Sequence, residues 1–371
     1  MKRMVLLLVI AVVVLGLGAL AAPLSICSYV SPETNLHSLG LSMSYRYFDD
    51  LATPGADESG GRLSLGYSRL HEAPDMGYTL SGNAELLLTD FSPTSGLGDV
   101  AGTFRYYFSP DAPTFAFGGA EASIAMVQTG QQQPGLHISA GLGYGRFSDV
   151  TPMAKAFKIE EELLSQKAIP KRLDDSVLID LAKAIGSKMY ATTQEQVADV
   201  VNQIQTASGS TLSPRQVLMV EDLILATGDS RQCGWSVQAG VGYQLIDPYG
   251  QPQGFLVTAS ADAAFVPNPE GQALFHATLS GPVNIMAQNT LSVRASYSHA
   301  VSETSSLRAS YTLLRTQPLE QPAGLSQSAG LSVGFVVGGA DVGLQISLSK
   351  PADAAAWSID VSVSAGITFD Y

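Results

Sequence analysis

The chain has 371 residues, 33 of them acidic and 20 basic, for a formal net charge of −13 at pH 7. That balance excludes nucleic acid as a partner, because neutralising phosphates takes clustered Lys and Arg. Hydrophobic residues make up 46% and charged ones only 14%, too apolar for an ordinary secreted protein. Yet beyond the N-terminus no apolar run approaches the roughly 18 residues that a spanning helix needs.

Lys2 and Arg3 precede an apolar run from Met4 to Leu17 and then Ala19-Leu20-Ala21. A basic start, a short apolar region and an A-x-A site predict a cleaved secretory signal peptide over residues 1–21. Ile26 stands before Cys27 where a lipoprotein start needs a small residue, so that reading is excluded. Residues 22–35 are expected to form an N-terminal periplasmic segment.

From Leu36 a two-residue period sets in, the mark of strands with one apolar and one polar face. Leu39, Leu41, Met43, Tyr45 and Tyr47 alternate with Gly40, Ser42, Ser44 and Arg46. The period recurs around Leu63–Tyr67, Tyr78–Leu88, Phe104–Phe108, Thr114–Val127 and Leu136–Tyr144. This predicts a first series of strands over 36–147. In Thr114–Val127 the phase slips near Gly118-Gly119, which predicts a bulge there.

Over 148–232 the period becomes helical. Met153, Ala156, Phe157, Ile159, Leu163 and Leu164 make one stripe, and Val177, Leu178, Leu181, Ala184 and Ile185 a second. Val197, Val200, Val201 and Ile204 make a third; Val217, Val220, Leu223, Ile224 and Leu225 make a fourth, ending at Gly228. Asp149 or Thr151, Asp174 or Asp175, Thr192 or Thr193, and Ser213 before Pro214 are the expected caps. Four amphipathic helices in one stretch predict a small α-helical insert.

The second series, 233–371, runs from Trp235 to the terminal stretch WSIDVSVSAGITFDY. There Trp357, Ile359, Val361, Val363, Ala365, Ile367, Phe369 and Tyr371 alternate with Ser, Asp, Gly and Thr. The whole pattern predicts an all-β membrane protein, an antiparallel transmembrane β-barrel of about fourteen strands, six before the insert and eight after. A soluble β-sandwich also alternates, but here aromatics gather at strand ends and the polar face is Ser, Gly and Thr instead of Lys and Glu.

With both termini on the inner side, parity assigns Asp49–Gly60, Asp90–Gly98 and Thr129–Gly135 to outward loops. His71–Met76 and Ser109–Ala112 become inward turns, and the insert falls on the inner, periplasmic side.

The signal peptide, the alternating strands and the aromatic C-terminus resemble the bacterial outer-membrane β-barrel superfamily. That resemblance implies outer-membrane lipid as surroundings and barrel-assembly machinery as a partner, with Ile367, Phe369 and Tyr371 as the assembly signal. The run from Gly141 to Phe147, followed by Asp149 to Pro152, resembles the strand-to-helix junction of uncharacterised barrels with a helical insert. No activity follows from it.

The polar face carries Arg46, Glu85, Arg105, Arg146, Asp262, Arg294, Arg308, Asp341 and Asp360. Opposing charges there either set the selectivity of a pore or pair across the lumen. His37, His71, His137, His276 and His299 show no local catalytic grouping, and no cofactor or metal-binding pattern is present. Cys27 and Cys233 allow a disulfide in an oxidising compartment. Their strands are expected nearly opposite, roughly 25–30 Å apart at about 4.8 Å per strand, so the bond would lay the N-terminal segment across the mouth. The leading functional expectation is a passive or weakly selective channel for small solutes, and not an enzyme. The alternative is a structural or docking protein whose insert binds a periplasmic partner.

Overall fold

A computed structural model of the chain describes residues 24–48, 58–89, 92–110, 112–126, 132–226, 230–246, 253–302, 304–337, 340–352, 354 and 356–369. The expected signal peptide and Tyr371 lie outside these residues. The first six strands are β1 Thr34–Phe48, β2 Glu58–Glu72, β3 Met76–Thr89, β4 Ser92–Ser109, β5 Ala112–Met126 and β6 Gln132–Asp149. Four helices follow: α1 Thr151–Ser165, α2 Asp175–Gly186, α3 Thr193–Ser208 and α4 Pro214–Leu225. Then come β7 Gln232–Ile246, β8 Gly254–Phe265, β9 Gly271–Pro282, β10 Asn289–Ser302, β11 Ser305–Gln317, β12 Gly324–Val337, β13 Ala340–Lys350 and β14 Ser358–Phe369. A short 3-10 turn, Ile26–Ser28, precedes β1.

Every strand pairs antiparallel with its sequence neighbours, and β14 returns to β1 with Leu39 opposite Phe369 and Leu41 opposite Ile367. The sheet is a closed barrel. Its strands have 11 to 18 residues; at about 3.3 Å per residue and a tilt of roughly 40°, even the shortest crosses a hydrocarbon layer.

The alternation decides which face meets what. Leu80, Val100, Leu142, Val241, Leu331 and Ile346 are exposed on the outer wall. In water such a surface would collapse; against lipid tails it is at rest. Tyr106, Phe108, Tyr144, Trp235, Phe265 and Phe335 are exposed together at the end of the barrel from which the helices leave, the position of an interfacial aromatic girdle. No described helix is long and apolar enough to cross a membrane. The chain is an antiparallel transmembrane β-barrel of fourteen strands carrying a helical insert.

The insert leaves the barrel at the end where β1 begins and β14 finishes. Other connections at that end are short (73–75, 110–111, 266–270, 303–304 and 338–339), whereas most at the far end are longer. One expected loop is absent: β4 already starts at Ser92, so most of Asp90–Gly98 is strand.

The bulge expected at Gly118-Gly119 is also absent, for pairing runs unbroken through both glycines on either side. The irregularity of that hairpin lies between Tyr107 and Ser109. What looked like a slipped phase is a pair of inward aromatics. Phe115 and Phe117 are buried on the inner face, and their rings occupy the space over Gly143 and Gly141, where an added Cβ would strike them. The glycine alternation of β6 is thus a bed for two rings from β5.

The helices form where their stripes predict. Thr192 caps α3 by accepting from the Glu195 N–H at 3.2 Å, and Ser213 and Gln216 form a box at the start of α4. Val150 holds the cap position of α1, while the Asp149 Oδ1 accepts from the Thr151 N–H at 2.9 Å. Their stripes meet in one buried apolar cluster that also takes in Ile26, Tyr29, Cys233 and Val266, so the molecule's main water-excluding core sits at the barrel's end.

Substituting Gly143→Ala is expected to destabilise the barrel by about 1–3 kcal/mol, the usual range for overpacking. Gly118→Ala, where an added Cβ meets nothing within 4 Å, should be near neutral. Denaturant midpoints of the two refolded variants check the difference; equal midpoints would refute the ring-bed account.

Candidate functional site

Two lumenal cavities lie end to end along the barrel. The larger, of about 1210 Å³, is lined by Glu121, Asp262, His276, Arg294 and Arg308 among others. The smaller, of about 690 Å³, is lined by Asn83, Glu85, Asp99, Arg294, Arg308 and small residues. Arg294 and Arg308 line both cavities, so they stand where the two meet. They sit on β10 and β11, seven strands round from β3 and β4, which carry Glu85 and Asp99. Cationic and anionic walls therefore face each other across the lumen. Glu85 is partly neutralised by Arg62 at 3.3 Å, and Asp99 accepts from Asn83 at 3.0 Å. Arg294 and Arg308 have no ion-pair partner among the described residues.

Asp262 pairs with His276 at 2.5 Å across β8 and β9. Their cross-strand row runs Ser236, Asp262, His276, Arg294, so the imidazole has an arginine on its far side where a hydroxyl nucleophile would have to be. The pair is a hydrogen-bonded couple in the wall. Of the histidines bordering the larger cavity, His137 and His276 lie on the inward rows of Gln244 and Asp262, whereas His37 and His299 keep step with the outward Leu39 and Tyr297. No spacing on one strand could have shown that His137 and His276 share one lumen, because they come from β6 and β9. Among the described residues no group of His, Cys, Asp and Glu could hold a metal ion.

Two of the expected lumen charges have other work. Arg105 is buried and bonded through Nη1 to Glu72 Oε1 at 2.6 Å, while the Tyr107 hydroxyl donates to Glu72 Oε2 at 2.7 Å. Arg146 lies with its guanidinium 3.9 Å from the Tyr107 ring centroid and donates to the carbonyls of Pro74 (2.9 Å) and Pro110 (3.2 Å). This knot joins the ends of β2, β4 and β6, strands that are not neighbours, and gathers two inter-strand turns onto one guanidinium. Glu72 and Tyr107 carried no signal in the sequence, since an acid and a phenol at strand ends read as surface. Asp360 is exposed on the inward row of β14, opposite Ser347. The side chains of Arg46, Asp341, Ile367 and Phe369 lie outside the described residues, though Ile367 and Phe369 keep their backbone pairing with β1.

The mouth beside the insert is drawn together. Cys27 and Cys233 form a disulfide with Cα atoms 5.4 Å apart, and the Asp149 N–H donates to Thr34 Oγ1 at 2.7 Å. The last residue of β6 therefore touches the first residue of β1, and the wide gap expected between opposite rims does not exist there. Its closure has a backbone cause. Gly145 and Gly234 hold φ of 123° and 134°, values that side-chain-bearing residues rarely adopt, and a Cβ on either would strike the partner strand's backbone. The β6–β7 end can thus fold inward over the opening.

The two ends of the insert are tied to each other. The Val150 N–H donates to the Arg231 carbonyl at 2.9 Å, and the Arg231 N–H to Thr151 Oγ1 at 2.8 Å. Arg231 also donates to the carbonyls of Pro269 (3.1 Å) and Glu270 (3.0 Å) in the β8–β9 turn. Lys155 Nζ links α1 to the end of α4 through the carbonyls of Ile224 and Ala226 at 2.7 and 2.8 Å. None of the helical residues lines the two lumenal cavities; the insert sits at the mouth and does not fill the bore.

No family model matches the chain, and no curated protein matches it. Among solved structures it is similar to the outer membrane protein Omp33 of Acinetobacter baumannii, at 9% identity and a TM-score of 0.35, covering 92% of this chain and 99% of that one. It is also similar to CdiB from Escherichia coli, at 9% identity and a TM-score of 0.40, with 94% of this chain matched to 64% of that one. A mutant of the Rh. blastica porin matches at 8% identity and a TM-score of 0.29, over 91% of this chain and all of that one.

Glu72→Gln is expected to destabilise the barrel by about 3–5 kcal/mol by leaving a buried arginine unpaired. The double variant Glu72→Leu, Arg105→Leu should regain most of that loss, and denaturant titration of the three proteins checks both statements. In the insert, the Tyr190 hydroxyl donates to Asp199 at 2.5 Å. That hydrogen bond, with burial and the carboxylate's charge behind it, pushes the Tyr190 hydroxyl up to about 12 from 10.0. The folded insert holds this proton more tightly than the unfolded chain. Its contribution to stability is whole below pH 10 and is lost as pH rises through about 12. Difference absorbance of phenolate between the wild type and Asp199→Asn should show one tyrosine moving down toward 10; superimposable titrations would refute the assignment.

Proposed function

We propose that the protein is an outer-membrane channel for small solutes, with its periplasmic mouth covered by the N-terminal segment and the helical insert. The observation that carries this reading is the lumen. Polar, small-residue walls leave two connected cavities, and Arg294 and Arg308, without an ion-pair partner among the described residues, face Glu85 and Asp99 across them. A charged neck between water-filled chambers is what selects among solutes in a pore, and a barrel serving only as an anchor has no need of one. The periplasmic assignment of the insert follows from its lying at the end of the termini, together with the short turns found there. The signal peptide and recognition of the closing strand by assembly machinery belong to the same reading.

The docking alternative has one observation in its favour. Met189, Leu218 and Leu225 are large apolar side chains exposed on the insert. A partner would cover them, and the channel would then open or close with that partner.

Planar-bilayer recordings test the proposal. Because Val150 and Arg231 are hydrogen-bonded to each other, the insert can be replaced by a short linker without moving β6 or β7. Stable current steps are expected from the insert-deleted barrel, with smaller or intermittent steps from the full-length oxidised protein. Reduction of the Cys27–Cys233 bond should raise the full-length conductance toward that of the deletion. Silence from all three forms would sink the channel reading and favour docking.

A further inference from the structure

One part of the lumen wall differs in kind from the rest. An alcove of about 240 Å³ opens off the neck, and its inward lining is Ser296, Ser298, Arg308, Ser310, Ser332 and Gln345. The strand registers arrange these residues as a lattice. One cross-strand row reads Ser298, Arg308, Ser332, Gln345 and the next Ser296, Ser310, Gly330, Ser347. Arg308 is flanked on both neighbouring strands by serines. Gly330 keeps the centre open, since a Cβ there would come within 3.0 Å of Ser310 Oγ. Every inward side chain of the alcove can donate a hydrogen bond, and the only charge in it is positive.

The surroundings leave that charge unspent. Across β9 to β12 the inward residues are Ser, Thr, Gly, Gln, Leu, Ala, Pro, Val, His276, Arg294 and Arg308, with no carboxylate among them. Arg308 makes no hydrogen bond or ion pair with any described residue. Asp360 lies on the Gly330 row but three strands round from β11, roughly 14 Å away at about 4.8 Å per strand, where salt screens it. A guanidinium ringed by hydroxyls, whose facing carboxylates Glu85 and Asp99 stand across the lumen, matches an oxyanion, because a phosphate or carboxylate accepts from all of these donors at once. A neutral sugar would not need the charge, and a cation would be repelled by it.

We propose that this alcove is an oxyanion-binding subsite of the lumen, centred on Arg308, at which a solute bearing a phosphate or carboxylate group pauses in the neck. The geometry stands by itself; its purpose in permeation rests on the channel reading above. Arg294, which lines the two large cavities but not the alcove, serves as the control for a general effect of positive charge.

The test uses the full-length barrel refolded in an uncharged detergent, with inorganic phosphate as the probe. Phosphorus NMR line broadening should report binding to the wild type. Arg308→Gln should weaken it by roughly tenfold, the order expected on losing a charge-assisted hydrogen bond. Arg294→Gln should weaken it clearly less than Arg308→Gln does, and excess acetate should compete where glucose does not. Unchanged broadening in R308Q, equal loss in R294Q, or competition by glucose would each overturn the subsite. Should R308Q fail to fold, the pair Ser310→Ala, Ser332→Ala carries the same criteria, because it removes only two hydroxyls. In bilayers, phosphate should reduce chloride current through the wild type and not through R308Q. Phosphate broadening that depends on Arg308 without any bilayer current would overturn the channel and leave the subsite. Chloride current with identical phosphate block in both proteins would do the reverse.

Discussion

Inside a bilayer every backbone N–H and C=O must find its partner within the protein, since no water is there to replace it. Where no described helix spans, the one solution is a sheet with no edge, and the pairing of β14 with β1 supplies it. Everything else follows from that closure. Once the sheet is a ring, its two faces stop being equivalent. The apolar face has nowhere to go but outward, and the Ser, Gly and Thr face becomes the wall of an enclosed space. The closing strand is therefore an architectural element first. Its polar side differs little from the other thirteen, apart from the exposed Asp360.

A ring of fourteen strands would leave two open mouths, and the structure treats one of them specially. The Glu72–Arg105–Tyr107 group and the Arg146 guanidinium bind strand ends that the sheet itself does not bring together. Positive-φ glycines let the β6–β7 end turn inward, Thr34 meets Asp149, and the disulfide holds the 3-10 turn against β7. The helices then lay their apolar stripes on this platform, which explains why the molecule's large buried cluster includes Ile26, Tyr29 and Val266 as well as helical residues. A lumen without a solid core and a mouth with one are two consequences of the same arrangement. In the proposed channel, selection belongs to the bore and access to the covered end.

Much of the architecture was legible from residue order alone. Period-two alternation yields fourteen strands with the right faces, because a strand's side chains obey their own backbone geometry wherever the strand is placed. The helical stripes of the insert and most of its caps are likewise local properties, and the strand parity that puts the insert beside the termini needs only counting. Arg294, Arg308, Glu85 and Asp262 could be assigned to the lumen for the same reason: inward and outward are written in the alternation.

Relations across the barrel are what tertiary structure alone decided. Phe115 and Phe117 break the alternation, and only the presence of β6 beside them shows that they lie on a glycine bed instead of marking a bulge. Arg105 has the periodicity of a lumen charge, but burial against Glu72 and Tyr107 makes it a rim fastener; Arg146, in step with Leu142 and Tyr144, joins it through the Tyr107 ring and two proline carbonyls. The alcove around Arg308 draws serines and a glutamine from four strands. A sequence determines faces because a strand carries its two sides with it. It does not determine which side chains meet across strands, because those distances depend on register, twist and closure, which belong to the whole ring.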